Sequence, residues 1–158
     1  MTRLLVALAA VLLAALVSGC GPAAPPRPPA DLRVTSADVL GDVVTDGQGR
    51  TLYRFDLDSP SASNCFGACA SRWPPAVAGA AAPATDGIAP GLAGVLVRPD
   101  GVRQLTLAGW PLYRYLNDTA PGQANGQGVD GTWFAVTPAG AKATATPPAT
   151  SGDSGFGY

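Results

Sequence analysis

The sequence predicts a mainly β domain, in which two tandem meander-like repeats form one small unit. The first observation is a motif, Tyr-x-aromatic-x-x-Asp, that occurs at residues 53–58 and again at residues 113–118. The second is that the offset between the copies, 113 − 53 = 60, also carries Trp73 onto Trp133. The third is a series of short apolar segments separated by Gly-rich turns, without the long helical periods of a bundle. An offset of about this size between matched residues indicates two copies of one supersecondary unit.

The N-terminus has the pattern of an export signal. Arg3 precedes an apolar run, and small residues lead to Cys20. The run is shorter than the roughly 20 apolar residues that a membrane-spanning helix needs. Val17-Ser18-Gly19-Cys20 resembles the bacterial lipobox, which implies cleavage after residue 19 and attachment of a diacylglycerol to Cys20. The alternative is an ordinary signal peptide in which Cys20 occurs by chance.

These patterns divide the chain into four predicted parts. They are a lipoprotein signal peptide, a lipidated Cys with a Pro-rich stalk, a two-repeat β domain, and a disordered tail. Proline at the density of residues 22–29 favours polyproline II, which is a semi-rigid spacer. The predicted boundaries of the four parts are 1–19, 20–33, 34–137 and 138–158. Within the domain, the first repeat, an Ala/Gly/Pro-rich linker and the second repeat are residues 34–78, 79–93 and 94–137.

Two turn signatures organise the predicted strands. Asp46-Gly47-Gln48-Gly49 is typical of a hairpin turn in the first repeat, and Pro99-Asp100-Gly101 of one in the second. Each signature lies between segments rich in Val, Leu, Thr and aromatic residues. The predicted strands are residues 39–45, 51–57, 95–98, 103–107, 111–116 and 132–136.

One short helix is predicted around the Cys-x3-Cys, over residues 64–73, ended by Pro74-Pro75. An even pair of cysteines in an exported chain indicates a disulfide. At positions i and i+4 on one helical face, Cys65 and Cys69 come close enough to bridge. A redox or metal-binding pair is the alternative, although no neighbouring His would lower a thiol pKa.

The composition removes the usual catalytic machinery. The chain has no His, Met occurs only at position 1, and every acidic side chain is Asp. Ser-His-Asp catalysis and His-bound zinc are therefore excluded. The net charge is −1 and the Arg residues are scattered, so no basic patch indicates nucleic acid. We predict no enzyme, no catalytic residue, no cofactor and no metal site.

The aromatic residues of the motif have a structural and a functional interpretation. In a strand, Tyr53 and Phe55 lie on one face together with Leu57, and Tyr113 and Tyr115 repeat this face. Aromatic residues on strands usually fill a core, with each hydroxyl reaching a partner at its edge. The functional alternative is a platform that stacks a sugar or another flat ligand. The candidate ligand-facing aromatics are Trp73, Trp110 and Trp133.

The charged residues of the motif also leave two interpretations open. Asp58 and Asp118 end their predicted strands, where an Asp accepts turn amides and also the Tyr hydroxyl. As cation ligands they could act with Asp56 or Asn117, but hard cations need six or more oxygens. Arg54 and Arg114 occupy the same place in the two repeats. Either they form salt bridges, or they bind an anion.

The ordered set of motifs resembles the bacterial secreted-repeat lipoproteins that are defined by Tyr-x-(Phe/Trp/Tyr)-x-x-Asp. The resemblance runs from about residue 39 to residue 136. It includes Gly49-Arg50-Thr51-Leu52-Tyr53, Trp73-Pro74-Pro75 and Gly109-Trp110-Pro111-Leu112-Tyr113. It implies the location and the fold, but it supplies no catalytic residue. Many members place His or Tyr after the final Trp, whereas this chain has Phe134.

We therefore expect a lipid-anchored protein on the extracytoplasmic face of the cell membrane. It is expected to be a non-catalytic binding or structural module. Its expected partners are the membrane, through the lipid anchor, and a cell-wall or extracellular component, but not nucleic acid. The alternative is a redox or cation-handling envelope accessory that uses the Cys pair or the Asp clusters.

Overall fold

The computed structural model describes residues 31–145. The predicted signal peptide, Cys20 and most of the stalk lie outside the described residues, as does the tail from residue 146. Between residues 31 and 145, no helix is both long and apolar enough to cross a membrane. The elements of this part are β1 Leu32–Ala37, β2 Gly41–Asp46, β3 Tyr53–Phe55, α1 Ala68–Arg72, β4 Thr85–Asp86, β5 Ala93–Val97, β6 Arg103–Leu107, β7 Trp110–Pro111, a 3-10 turn Val129–Gly131 and β8 Trp133–Ala135.

The two repeats are interleaved. In the described part of the chain the strands form three sheets, with the orders β2-β1-β4, β3-β8 and β5-β6-β7. Strand β3 of the first repeat pairs antiparallel with β8 of the second, so that Phe55 lies opposite Trp133. The mainly β class and the two tandem repeats are confirmed. Because each repeat supplies one strand of the β3–β8 sheet, neither repeat completes this part of the fold alone.

Both predicted turns are confirmed. The Gly49 amide donates to the Asp46 carbonyl and the Gly101 amide to the Arg98 carbonyl, each at 2.9 Å. Gly49 and Gly101 have φ of 80° and 81°, which is the left-handed region that favours glycine. The turns therefore form where the sequence supplies a residue for that backbone conformation.

The first strand was not predicted. The predicted stalk includes residues 31–33, but β1 begins at Leu32, whose side chain is fully buried. This strand forms an antiparallel hairpin with β2, in which Leu32 lies opposite Asp46. The Pro-rich stretch immediately before it obscured the strand signal. In contrast, β3 is shorter than predicted, and Leu57 is 63% exposed.

The helix is shorter than predicted and begins later. Its N-cap is Gly67 with φ of 55°, and Asn64 lies before it in an irregular segment. The Asn64 amide group donates to the Leu57 carbonyl, and the Asn64 backbone N–H donates to Asp58, which holds this segment out of helical geometry. Cys65 and Cys69 form a disulfide with Cα atoms 5.2 Å apart, as predicted. The expectation that both lie on one helical face was wrong, because Cys65 precedes the helix.

Two segments that were expected to lie outside the repeats belong to the folded domain. The predicted linker carries β4, which pairs in parallel with β1, and its Ile88 is buried. Residues 138–145 were predicted to be disordered, but Ala143 is buried and its amide donates to the Ala135 carbonyl at 2.7 Å. The chain turns back after Thr137 and packs along β8. The predicted tail from residue 146 onward lies outside the described residues.

The core has two parts, which we call the aliphatic cluster and the aromatic cluster. Leu52 and Leu112 belong to the aliphatic cluster, whereas Tyr53 and Tyr113 belong to the aromatic cluster. Side chains alternate between the two faces of an extended chain, so each motif supplies both clusters with adjacent residues. Both Tyr residues therefore point into the interior between the repeats.

Candidate functional site

The centre of the domain is a reciprocal backbone contact between the two motifs. The Tyr53 amide donates to the Tyr113 carbonyl at 2.8 Å, and the Tyr113 amide donates to the Tyr53 carbonyl at 2.9 Å. On either side, the Ala76 amide donates to the Leu112 carbonyl, and the Val136 amide to the Leu52 carbonyl. The equivalent residues of the repeats are thus related by an approximate two-fold axis.

The side chains of the two motifs are also exchanged between the repeats. The Tyr53 hydroxyl donates to Asp118 Oδ2 at 2.5 Å, and the Tyr113 hydroxyl donates to Asp58 Oδ2 at 2.6 Å. The other oxygen of each carboxylate accepts a backbone amide, from Asn125 at Asp118 Oδ1 and from Asn64 at Asp58 Oδ1. Each Asp therefore closes a turn in its own repeat and accepts the Tyr of the other repeat. We call this arrangement the Tyr–Asp exchange.

Burial keeps both Tyr hydroxyls in the donating form. It raises the pKa of Tyr53 and the pKa of Tyr113 well above the ordinary value, and the bonds to Asp118 and Asp58 raise them further. Burial also raises the pKa of Asp58, while the Tyr113 hydroxyl, the Asn64 amide and the Arg98 charge oppose that rise. A hydrogen bond to a charged group contributes about 1.5–3 kcal/mol. The exchange therefore stabilises the contact between the repeats.

A buried polar network supports the exchange at Asp58. The Arg98 side chain is fully buried and donates to Ser63 Oγ at 2.7 Å, to Gln104 Oε1 at 2.9 Å and to the Cys65 carbonyl at 2.8 Å. Ser63 Oγ in turn lies 2.7 Å from the Tyr113 hydroxyl. Sequence reasoning missed Arg98 and Gln104. They lie outside the repeated motif, so the comparison of the repeats gave no signal for them.

At Asp118 the supporting element is a close backbone approach. The Gly126 amide donates to the Tyr53 hydroxyl oxygen at 3.2 Å. A Cβ atom at position 126 would lie 2.8 Å from ring atoms of Tyr53 and Trp73, which is too close for any side chain. Glycine therefore lets this loop reach the hydroxyl.

The aromatic residues form a continuous stack in the core. Phe55 stacks on Trp133 at 4.2 Å between ring centroids, Trp133 on Trp73 at 3.9 Å, and Trp73 on Tyr115 at 4.2 Å. Tyr53 meets Trp73 edge-on, and Tyr113 meets Trp133 in the same way. We call the four stacked rings the aromatic column. This arrangement is the one that the structural interpretation predicts, in which the motif aromatics fill the core.

The candidate ligand-facing aromatics pack against other side chains of the domain. Trp73 is 2% exposed and Trp133 is 3% exposed, and each is covered on both faces by the column. Trp110 is half-buried, and the Arg54 guanidinium lies 3.5 Å from the centre of its ring. Trp73 and Trp133 pack the repeats against each other and are almost fully buried, although both are also among the residues that line the groove described next. A ligand-facing role for these three rings stays a prediction.

A groove of about 510 Å³ opens beside the column, and three of the four column rings, Phe55, Trp133 and Trp73, contribute to its lining. Its lining includes Phe55, the exposed Leu57 and Cys69. Arg72 and Asp130 form an exposed ion pair at its rim, with 3.4 Å between Arg72 Nη1 and Asp130 Oδ2. We call this feature the Leu57 groove. Phe55 is partly exposed and ends the column, so one of its faces is left uncovered by the other three rings.

The motif carboxylates are not arranged as cation ligands. Both oxygens of Asp58 accept hydrogen bonds, from the Tyr113 hydroxyl and the Asn64 amide, and Asp118 is bonded in the same way. Within residues 31–145, no three or more His, Cys, Asp or Glu side chains group so as to hold a metal ion. A cation would need carboxylate oxygens that are free to coordinate it, whereas the oxygens of Asp58 and Asp118 already accept hydrogen bonds.

Residues 34–77 and residues 94–137 each match the sequence profile of a family described as a secreted repeat of unknown function. Together the two ranges span more than half of the chain. No curated protein and no solved structure matches the chain. The first range contains Tyr53 and Asp58, and the second contains Tyr113 and Asp118. Each matched copy therefore supplies one half of the Tyr–Asp exchange.

Removing one hydroxyl of the exchange tests its contribution to stability. Tyr53→Phe leaves buried Asp118 without its hydroxyl donor, and Tyr113→Phe does the same to Asp58. We expect each variant to lower the free energy of unfolding by about 2 kcal/mol, as measured by urea denaturation.

Tyr115→Phe is the matched control, because the Tyr115 hydroxyl bonds only the side chains of Arg72 and Asn117 at the surface. We expect it to change the free energy of unfolding by less than about 1 kcal/mol. If Tyr53→Phe and Tyr113→Phe are as stable as Tyr115→Phe, the exchange does not hold the repeats together.

Proposed function

Since the chain belongs to a family of secreted repeats of unknown function, we propose that it is a lipid-anchored cell-envelope protein and a non-catalytic binding or structural module. In this proposal Cys20 carries the lipid, and the Pro-rich segment holds the domain away from the extracytoplasmic face of the cell membrane. Two or three acyl chains anchor a protein firmly, since each buried methylene contributes about 0.8 kcal/mol.

The observation that carries the proposal is that the motif residues satisfy each other. Tyr53 and Tyr113 donate to the buried carboxylates of Asp118 and Asp58, so these polar groups lie inside the domain. General acid–base chemistry needs a titratable group within hydrogen-bond reach of a substrate. The repeated motif supports the fold and leaves binding to the surface that the fold presents.

The Leu57 groove is the surface that we propose for binding. Its apolar lining offers the partly exposed ring of Phe55 and the exposed side chain of Leu57, and its rim offers the charges of Arg72 and Asp130. Ligand sites typically combine such an apolar lining with a few polar groups that fix orientation. A sugar ring has an apolar face for the ring of Phe55 and hydroxyls for the rim. We therefore propose a cell-wall glycan as the partner.

A redox accessory is the second candidate, and one observation favours it. Cys69 lines the Leu57 groove, so one residue of the disulfide contributes to the proposed binding surface. In this role a dithiol partner would reduce the Cys65–Cys69 bond and itself become a disulfide. Groove binding to a glycan does not need the disulfide to be reduced, so the two candidates differ in their response to Cys65→Ser/Cys69→Ser.

The anchor is tested with Cys20→Ala in the native host. We expect the parent protein to fractionate with membranes and to incorporate a labelled fatty acid. The variant should lose the label, and a lipid anchor should no longer determine where it fractionates. A parent protein whose purified N-terminus carries no lipid mass contradicts the anchor, whatever its location.

The binding surface is tested by co-sedimentation of the mature domain with purified cell-wall glycan. Leu57→Ser removes an exposed apolar side chain from the groove, and we expect glycan binding to weaken about tenfold. Val97→Ser is the matched control, because Val97 on β5 is 62% exposed, as Leu57 is 63% exposed, and is not among the residues that line the groove.

Equal sedimentation of Leu57→Ser and Val97→Ser would contradict the groove as the binding surface. Glycan binding that is unchanged in Cys65→Ser/Cys69→Ser would favour the glycan candidate over the redox candidate, because only the redox role needs the two sulfur atoms.

A further inference from the structure

A second cavity is lined by Arg114, one of the two Arg residues of the repeated motif. It has a volume of about 300 Å³ and is lined by Arg114, Asp46 and Asp31 together with the apolar residues Ala76, Val77 and Leu105. The cavity shares no lining residue with the Leu57 groove. The proposal that follows is therefore independent of glycan binding.

Asp46 holds the Arg114 side chain in place. Arg114 Nε lies 2.8 Å from Asp46 Oδ2, and the Asp46 side chain is 5% exposed. Asp46 is itself fixed, because its Oδ1 accepts the amides of Gln48 at 2.8 Å and Arg50 at 3.0 Å. The Nε–H does not point at Asp46 Oδ2, so this contact is an ion pair and not a hydrogen bond. It positions the guanidinium without using its two terminal nitrogens.

The equivalent Arg of the first repeat is covered. Arg54 lies 3.5 Å from the centre of the Trp110 ring, donates to the Gly140 carbonyl at 3.2 Å, and has a side chain that is 13% exposed. The residue 60 positions before Trp110 is Arg50, which donates to the Asp118 carbonyl and so does not cover Arg114. The Arg114 side chain is 42% exposed. The repeats thus bury one motif Arg and leave the other facing a cavity.

The charges around the cavity select the class of ligand. The terminal nitrogens of Arg114 make no hydrogen bond to any residue between 31 and 145, and a guanidinium offers them as a fork that matches a carboxylate. Asp31 contributes a negative charge to the same lining, and one of its oxygens is held by the Ala84 amide at 2.9 Å. Because Asp46 already balances Arg114, a ligand that is only anionic meets an excess of negative charge.

We propose that this cavity binds a small zwitterion, a free α-amino acid with a short apolar side chain. The α-carboxylate lies on the terminal nitrogens of Arg114, and the α-ammonium lies at Asp31. The side chain packs against Ala76, Val77 and Leu105. The cavity is at the lower end of the volumes of ligand sites, which suits a ligand of this size.

The test is isothermal titration of the whole mature protein with alanine, in both the L and the D form. We expect at least one form to bind with a dissociation constant of about 1 mM or tighter. Propionate lacks the ammonium and ethylamine lacks the carboxylate, so each should bind about tenfold more weakly than alanine.

Three variants locate the site. Arg114→Lys keeps the charge beside Asp46 but loses the fork, and Asp31→Asn keeps an acceptor for the Ala84 amide but loses the negative charge. Each should weaken alanine binding about tenfold while the thermal melt stays close to that of the parent. Arg103→Gln is the control, since Arg103 bonds only the Gly79 carbonyl and is not among the lining residues.

Three results would overturn the proposal. They are the absence of heat with both forms of alanine, equal binding of propionate and alanine, and unchanged alanine binding in both Arg114→Lys and Asp31→Asn.

Discussion

The Tyr–Asp exchange is the interaction on which the rest of the structure depends. Each repeat contains a Tyr and an Asp, yet each Tyr donates to the Asp of the other repeat. A buried carboxylate that loses its hydrogen-bond donor lowers the free energy of unfolding by about 1–3 kcal/mol. Either repeat alone would therefore lack the partner that its Tyr hydroxyl and its Asp carboxylate have in the complete domain. The exchange turns two similar sequences into one domain, and β3–β8 pairing and the aromatic column follow from the same contact.

The two-fold relation also indicates where function can arise. Residues that are equivalent in both repeats are used to hold the repeats together, as the stacked Trp73 and Trp133 illustrate. The surface features that remain available lie where the repeats differ. The Leu57 groove lies beside the disulfide-bonded segment, which has no counterpart in the second repeat. The Arg114 cavity is open because the ring that covers Arg54 is replaced by an Arg at the equivalent place.

The sequence predicted the local features better than the long-range ones. The 60-residue offset identified the repeats, the Gly-containing turns identified two hairpins, and the export context identified the disulfide. The sequence also indicated that Asp58 and Asp118 accept turn amides and a Tyr hydroxyl, but it could not show that the Tyr belongs to the other repeat. That choice depends on pairing between residues about 55–65 positions apart, which has no local pattern. The buried faces of Trp73 and Trp133, the strand at Leu32 and the packing of Ala143 were missed for the same reason, because burial is decided by partners that are distant in sequence.

Native-state hydrogen exchange on the mature domain tests the central claim most directly. The amides of Tyr53 and Tyr113 each donate to the carbonyl of the other, so both should exchange only when the whole domain unfolds. The account predicts the same opening free energy for these two amides, equal to the global free energy of unfolding. If the amides of one repeat exchange with a clearly lower free energy than those of the other, the repeats unfold separately. In that case the exchange is a contact between two independent units and not the origin of the domain.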